Sequence, residues 1–476
     1  GGGLVLLAGL LLLALGGCAG QDIKDSKIFN TKCRRSTDLR GTFAKMQVGW
    51  GFKNKSGQPI KHYFLAIPKH LATSLSSIKV TDAAGNRLEV LPAPGVDGGH
   101  GLADHFKVVL GEPPSPLDKE VDLQAELIFT RAMTPTPSAI AQGEHQQVLF
   151  EDSHHWLSPY PTKGMYSEVM VPGAIESATN DVPPTEVKSR QVIYGVYSDV
   201  PAYTFTPASI LFRHDSAFAT ALTSTRDVRV SLWLSKVYVE ESLSVQHTGA
   251  KLKGHFSRAD YQARPKTSSH NSISVLSARL PPDAARVYYR DELGNISTSV
   301  LHRFRDFSTL TVRPRYPLFG GWRADFAVGY EQGVDRVVAF DTKDGSGKKD
   351  GADKYRLVVD TFGPSFEDLS ADVHSVTVTL PEGAYDVVVR VPAGVQAEET
   401  RSSTKGFLDI SARPQVTVTA RNVVGSSNTN NEDQQMLVFY RMSSTHMLRK
   451  PAAAAGCLLA LVAALLAWSR AGAVLH

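Results

Sequence analysis

Arg286-Val-Tyr-Tyr-Arg-Asp-Glu-Leu-Gly-Asn-Ile-Ser-Thr-Ser-Val300 is the stretch on which the reading of this chain turns. Val287 and Tyr289 alternate with Tyr288 and Arg290, the two-residue period of a half-buried strand. Asp291 to Asn295 is turn chemistry, because Gly294 and Asn295 tolerate positive φ and Asp291 favours a turn start. Ile296, Thr298 and Val300 then restart the alternation, so the sequence predicts a hairpin. Asn295-Ile-Ser297 is also an N-glycosylation acceptor triplet, usable only in a secretory compartment.

The same grammar extends outward. Val121 to Phe129, Val228 to Leu234, Val373 to Leu380 and Gln415 to Ala420 alternate apolar and polar residues between Pro, Gly and Asn/Asp turns. Strongly amphipathic helical segments are scarce. An internal repeat runs through the chain. Arg40 to Gly57, Ile67-Pro68 and Ile78 to Asn86 share their order with Arg229 to Gly249, Leu280-Pro281 and Val287 to Asn295. Both series end in an Asp-x-x-Gly-Asn turn, about 200 residues apart on the periodic spacing expected of a duplicated unit. The fold expected is mainly β: two tandem β-sandwich-type domains followed by one C-terminal transmembrane helix. The expected limits are 21–225 and 226–446, with loops at Pro113 to Pro116, Asp181 to Pro184 and Asp341 to Asp353 and a polar connector at Ser426 to Asp433.

Both ends carry apolar runs. Leu4 to Leu15 followed by Gly16-Gly-Cys-Ala-Gly20 reads as a signal peptide over residues 1–20, with a bacterial lipoprotein box at Cys18 as the rival. Pro451 to Trp468 holds no charge and lies between Arg449-Lys450 and Arg470. At about 1.5 Å per residue it spans about 27 Å, enough for a thin bilayer; a buried Ala/Leu core helix is the alternative. The topology expected is type I, with residues 469–476 as a short cytosolic tail. Small residues at Gly456, Ala460 and Ala464 would let another helix approach closely.

Cys33 is the one cysteine outside the two apolar runs, so the body is expected to hold no disulfide. The net charge of +4 is spread along the chain without a basic block, which argues against nucleic acid. The His100 to His105 cluster, with Asp104, follows a Gly-rich loop and has no further ligand elsewhere at a diagnostic spacing, and His154 and His155, adjacent on a strand, would point to opposite faces. Asp341 to Asp353 lacks the alternate oxygen ligands of a calcium loop. No nucleophile-elbow, zincin, P-loop or dinucleotide motif occurs, and no cofactor or metal is expected. Asn54-Lys-Ser56 and Asn295-Ile-Ser297 are the two glycosylation triplets.

From Phe150 onward the sequence resembles the ribophorin I family. The resemblance is carried by Ser158-Pro-Tyr-Pro-Thr-Lys163, Ser198-Asp-Val-Pro-Ala-Tyr203, Val239-Glu-Glu241 and His247 to Gly254. Phe256-Ser-Arg258, Val287 to Ser299, Arg313 to Trp322 and Pro381-Glu-Gly-Ala384 continue it. It implies a non-catalytic accessory subunit of oligosaccharyltransferase, which moves a preassembled oligosaccharide from dolichyl diphosphate to Asn of N-x-Ser/Thr in nascent proteins. It further implies an ER membrane location, two tandem β domains, and as partners the catalytic and accessory subunits, nascent polypeptide, ER lipid and the translocon. Animal members continue past the membrane helix into a ribosome-contacting region; the layout ending at His476 resembles the short-tailed fungal type. A free-standing type I membrane binding protein is the alternative reading.

Overall fold

In the computed structural model, the described residues are 27–474 except 58, 95, 97–100, 112–119, 264–270, 341–352, 393, 407–408 and 426–433. The expected signal segment, His100, the Pro113 to Pro116 loop, most of the Asp341 to Asp353 loop and the 426–433 connector lie outside them.

The chain divides into two compact units, residues 1–136 with 147–214, and residues 137–146 with 215–476. The strands of the first unit are β1 (Ile28–Asp38), β2 (Ala44–Asn54), β3 (His62–Pro68), β4 (Leu75–Asp82), β5 (Arg87–Pro92), β6 (Ala103–Val109), β7 (Val121–Phe129) and β8 (Met133–Pro135). The short β9 (Ala139–Ile140) belongs to the second unit, and the first resumes with β10 (Gln147–Ser153), β11 (Thr162–Met170), β12 (Ile175–Ala178), β13 (Thr185–Lys188), β14 (Gln191–Val200) and β15 (Pro207–Arg213). The second unit continues through β16 (Ala219–Ser231), β17 (Lys236–His247), β18 (Lys251–Leu252), β19 (Ser272–Ile273), β20 (Leu276–Leu280), β21 (Ala285–Asp291), β22 (Gly294–Asn295), β23 (Ser299–Arg303) and β24 (Ser308–Val312). It ends with β25 (Leu318–Phe319), β26 (Arg323–Gly333), β27 (Val338–Phe340), β28 (Asp353–Val359), β29 (Ser370–Thr379), β30 (Tyr385–Arg390), β31 (Ala397–Thr404), β32 (Arg413–Val424), β33 (Met436–Met442) and a terminal helix, Arg449–Val474.

One strand order occurs twice. The main sheet of the first unit runs β13-β14-β11-β1-β2-β7-β4, and that of the second runs β31-β32-β29-β16-β17-β26-β21. The remaining strands match likewise: β12-β15-β10-β8 with β30-β33-β28-β27, and β5-β6-β3, which continues the first main sheet beyond β4 to make ten strands, with the separate three-stranded sheet β23-β24-β20. Each main sheet holds one parallel pair, β1 with β11 and β16 with β29, among antiparallel neighbours. The segments matched in sequence occupy equivalent strands: Ile67-Pro68 closes β3 and Leu280-Pro281 follows β20, while the two Asp-x-x-Gly-Asn turns join β4 to β5 and β21 to β22.

Alternation explains the layering. In β7, Leu123, Ala125, Leu127 and Phe129 are buried while Asp122, Gln124 and Glu126 face water. In the second unit Val228, Val230, Val237, Val239, Val376, Val378, Val416 and Val418 of the main sheet pack on Tyr355, Leu357, Val359, Val438 and Tyr440 of the smaller sheet. The other half of the same main sheet, through Ala221, Val245 and Phe326, covers Leu276, Leu280, Leu310 and Val312. Side chains from two sheets interdigitating in this way form a β-sandwich core.

Three boundaries differ from the sequence reading. Thr225 lies inside the continuous strand β16, and the division between the units falls at His214 and Asp215. Its neighbours hide the break, because β16 begins within a few residues of it. The opening hairpin is only two residue pairs long, Arg290 with Asn295 and Asp291 with Gly294. One further rung, from Ile296 N to the Tyr289 carbonyl at 2.8 Å, closes that ladder, and Ser299 to Arg303 pairs with β24 instead; alternation cannot tell which sheet a strand joins. Finally, the helix that holds the 451–468 span runs from Arg449 to Val474 and so includes most of the expected tail.

Candidate functional site

Each unit buries one arginine on its central strand. Arg35 of β1 lies on the inward phase shared by Cys33 and Thr37. It donates from Nη1 to Asp152 Oδ2 at 2.8 Å, from Nη2 to the Ser153 carbonyl at 2.6 Å and from Nε to Ser167 Oγ at 3.2 Å. Arg226 of β16 shares the inward phase of Val228 and Val230. It donates to Glu241 Oε2 at 2.9 Å, to the Gly363 carbonyl at 2.7 Å, to Ser365 Oγ at 2.8 Å and to the Thr361 carbonyl. Burial would raise the Glu241 carboxyl, but Arg226 outweighs it and the pKa is lowered. In both units the guanidinium ties the strand to the segment that leads into its parallel neighbour, β11 or β29. These are framework contacts: all three Arg35 nitrogens and both Arg226 terminal nitrogens end on protein oxygen, while Arg226 Nε is left without a partner.

An open groove of about 670 Å³ crosses the main sheet of the first unit. Its lining includes Lys32, Arg34, Gly49, Asp122, Gly164 and Tyr166. Lys32 pairs with Asp122 at 2.9 Å, and the Arg34 guanidinium lies 5.5 Å from the Tyr166 ring centre. Cys33 borders it from the core, where burial pushes the thiol up to about 12, so it is an inert, unpaired sulfur. The groove offers both charge signs and an aromatic face, with no nucleophile beside a base.

The histidines considered as ligands do not converge. His105 Nε2 meets the Tyr203 hydroxyl at 3.0 Å. His154 and His155 pack against different tyrosines, Tyr194 edge-to-face and Tyr197 at a tilt, each with ring centres 4.6 Å apart. Among the described residues no group of three or more His, Cys, Asp or Glu side chains could hold a metal.

The two acceptor triplets sit in contrasting places. Asn295 and Ser297 are exposed, with Ile296 between them anchored in the core. Gly294 takes φ 121°, and Asp291 Oδ1 accepts the Leu293 N–H at 3.0 Å, so the turn holds Asn295 outward. Asn54 ends β2 and is 1% exposed; its Oδ1 accepts from Ser56 N at 2.9 Å and Ser56 Oγ at 2.6 Å.

The terminal helix is long and apolar enough to cross a membrane over Arg449–Trp468. Pro451 falls in its first turn, where a missing N–H costs nothing. Gly456, Ala460 and Ala464 are exposed, and a Cβ at Gly456 would meet no atom within 4 Å. The helix is clamped at its start. Asp409, in the β31–β32 loop, accepts from Lys450 Nζ at 2.6 Å and from Arg413 Nε at 2.8 Å. Burial alone would raise this carboxyl; the Arg413 and Lys450 hydrogen bonds overcome it and hold it at about 2. Glu382 Oε1 accepts from Ile410 N, Ser411 N and Ser411 Oγ, and Ser411 Oγ accepts from Arg449 at 3.2 Å. The two buried ion pairs and this clamp escaped the sequence reading. A charged residue on an apolar phase, as at Arg226 and Glu241, is the signal that marks the pairs.

The family model described as Ribophorin I matches residues 28–469. A chain of Arabidopsis thaliana named dolichyl-diphosphooligosaccharide–protein glycosyltransferase subunit 1A is 34% identical over 429 residues, covering 88% of this chain and 67% of that one. Subunit 1B of the same plant is 31% identical and covers 86% of each chain. Subunit 1 of Caenorhabditis elegans is 29% identical, covering 82% of this chain and 64% of that one. Among solved structures, the M1 zinc metallopeptidase of Deinococcus radiodurans aligns with a TM-score of 0.24 at 12% identity, over 43% of this chain and 48% of that one, too low to argue from.

Proposed function

The chain belongs to the ribophorin I family, and from that premise we propose that it is a non-catalytic subunit of the ER oligosaccharyltransferase complex, which serves protein N-glycosylation. The observation that carries this reading is the family match across 28–469, which takes in both β units and the apolar helix together. The framework character of the buried pairs supports a structural role. In this reading the helix crosses the ER membrane once, the β units lie in the lumen, and Gly456, Ala460 and Ala464 face a helix of another subunit. Asn295 carries a glycan. Nascent polypeptide, bilayer lipid and the translocon are its further partners. The chain contributes no residue to bond-making, and assembly of the catalytic subunit depends on it.

Depletion of the chain from its cells tests this. Occupancy of N-x-Ser/Thr sites on secreted proteins falls and returns with the wild-type chain, while the purified chain alone transfers no oligosaccharide from a dolichyl diphosphate donor to an acceptor peptide. Transfer by the isolated chain would overturn the non-catalytic assignment. Unchanged occupancy after depletion would favour the free-standing binding protein.

A further inference from the structure

The turn between β16 and β17 is Leu232-Trp-Leu-Ser235. Its backbone is well fixed: Ser235 N donates to the Leu232 carbonyl at 3.2 Å, Ser235 takes φ 50°, and the Ser235 carbonyl accepts from Val334 N at 3.2 Å. Leu232 packs onto the core beneath. Trp233 and Leu234 do not; they are 63% and 60% exposed. Such turns favour Gly, Asn, Asp and Ser, and hairpin geometry gives no reason for two large apolar side chains at the tip.

Strand register locates the tip. β16 runs parallel to β29 with Arg229 beside Thr379, so both strands end at the same edge of the sheet. Directly after β29 come Glu382, which holds Ile410 and Ser411, and Gly383, where a Cβ would collide with the His446 ring. Ser411 and Asp409 in turn hold Arg449 and Lys450. The apolar helix therefore leaves from the edge of the sheet at which the Trp233 tip projects. With strands spaced about 4.8 Å apart, the tip and the β29 end are neighbours. Ile410 and Leu448, 57% and 66% exposed, lie along the same chain of contacts.

We propose that Trp233 and Leu234 seat in the headgroup region of the bilayer, forming a second membrane contact beside the helix. The occupant follows from the helix: a span that starts at Arg449 puts the lipid surface at this edge of the sheet. A tryptophan suits that boundary, since its ring is apolar and its indole N–H finds polar partners there. Together with the Asp409 and Glu382 clamp, the tip fixes the tilt of the second unit on the membrane, where the helix alone would act as a swivel. The proposal rests on the helix being membrane-spanning.

The test uses the full-length chain in phosphatidylcholine vesicles with brominated acyl chains, read by tryptophan emission. In the Trp468→Phe variant, brominated lipid quenches part of the emission, and the double variant Trp233→Phe/Trp468→Phe loses that quenching. Unquenched emission in Trp468→Phe overturns the proposal, whether aqueous iodide reaches Trp233, placing the tip in water, or neither quencher does, placing it under protein. Trp233→Phe alone reports the helix: its Trp468 emission is quenched by brominated lipid. Loss of that signal would overturn the span itself, and the seat with it, which separates the two failures.

Discussion

Single residues decide where this chain is rigid and where it is open. Asn295 is exposed at a turn that Gly294 and Asp291 shape, whereas the Asn54 amide is buried against Ser56. The chain from ER membranes therefore shows an endoglycosidase-sensitive mass shift that Asn295→Gln removes and Asn54→Gln leaves unchanged. The Arg226–Glu241 pair makes a second prediction. Removing one partner leaves a buried charge, so Arg226→Met alone costs about 3–5 kcal/mol, whereas replacing both with apolar residues of similar size costs less, because only neutral groups such as the Gly363 carbonyl and the Ser365 N–H then lose a partner; denaturant unfolding of the single and paired variants reads the difference. His247 makes a third. Its Nδ1 accepts the Gly249 N–H at 2.9 Å and its Nε2 faces Asn271 Oδ1 at 3.1 Å, a pattern that fits the neutral ring. Burial pushes its pKa down to about 4. An unfolded histidine titrates near about 6.5, so below that pH the unfolded chain takes up a proton that the folded one refuses. Stability is therefore lost as pH falls from about 6.5 towards 4. Melting temperatures measured across that window decline in the wild type and decline less in His247→Gln.

At the scale of elements, the strands were legible because alternation is a local signal. Val121 to Phe129 is β7 to the residue, and Gln415 to Ala420 lies within β32. The opening stretch was half legible. Its turn and its acceptor triplet follow from Asp291, Gly294 and Asn295, but the departure of Ser299 to a different sheet depends on β24, which no local pattern announces. The clamp at the base of the helix was invisible for the same reason. Asp409 reads as an ordinary loop acid until tertiary structure places Lys450 and Arg413 around it. The terminal helix was plain from composition, and it makes the next prediction. Leu at Gly456 and Ala460 fills the exposed small-residue face, and recovery of partner subunits in a mild-detergent pull-down falls while the β units keep their melting temperature. Recovery equal to wild type would remove that face as a docking surface.

At the scale of the molecule, the repeat glimpsed in three short segments is a repeat of the whole strand order, with a buried arginine on the central strand of each copy. The copies have diverged at their surfaces. The groove that crosses the first unit has a smaller counterpart of about 330 Å³ on the main sheet of the second, whereas the apolar tip and the exposed acceptor triplet belong to the second copy, since Asn86 in the first is followed by Arg87 and Leu88. A duplicated framework with different outward faces suits a subunit that holds several neighbours in place. The proposed function makes the chain a structural member of a multisubunit transferase. Affinity purification of the full-length chain from gently solubilised ER membranes, with every co-purifying protein identified, tests it most directly. A stoichiometric set that includes the catalytic subunit of oligosaccharyltransferase is expected; recovery of the chain without any other subunit of that complex would overturn the proposed function.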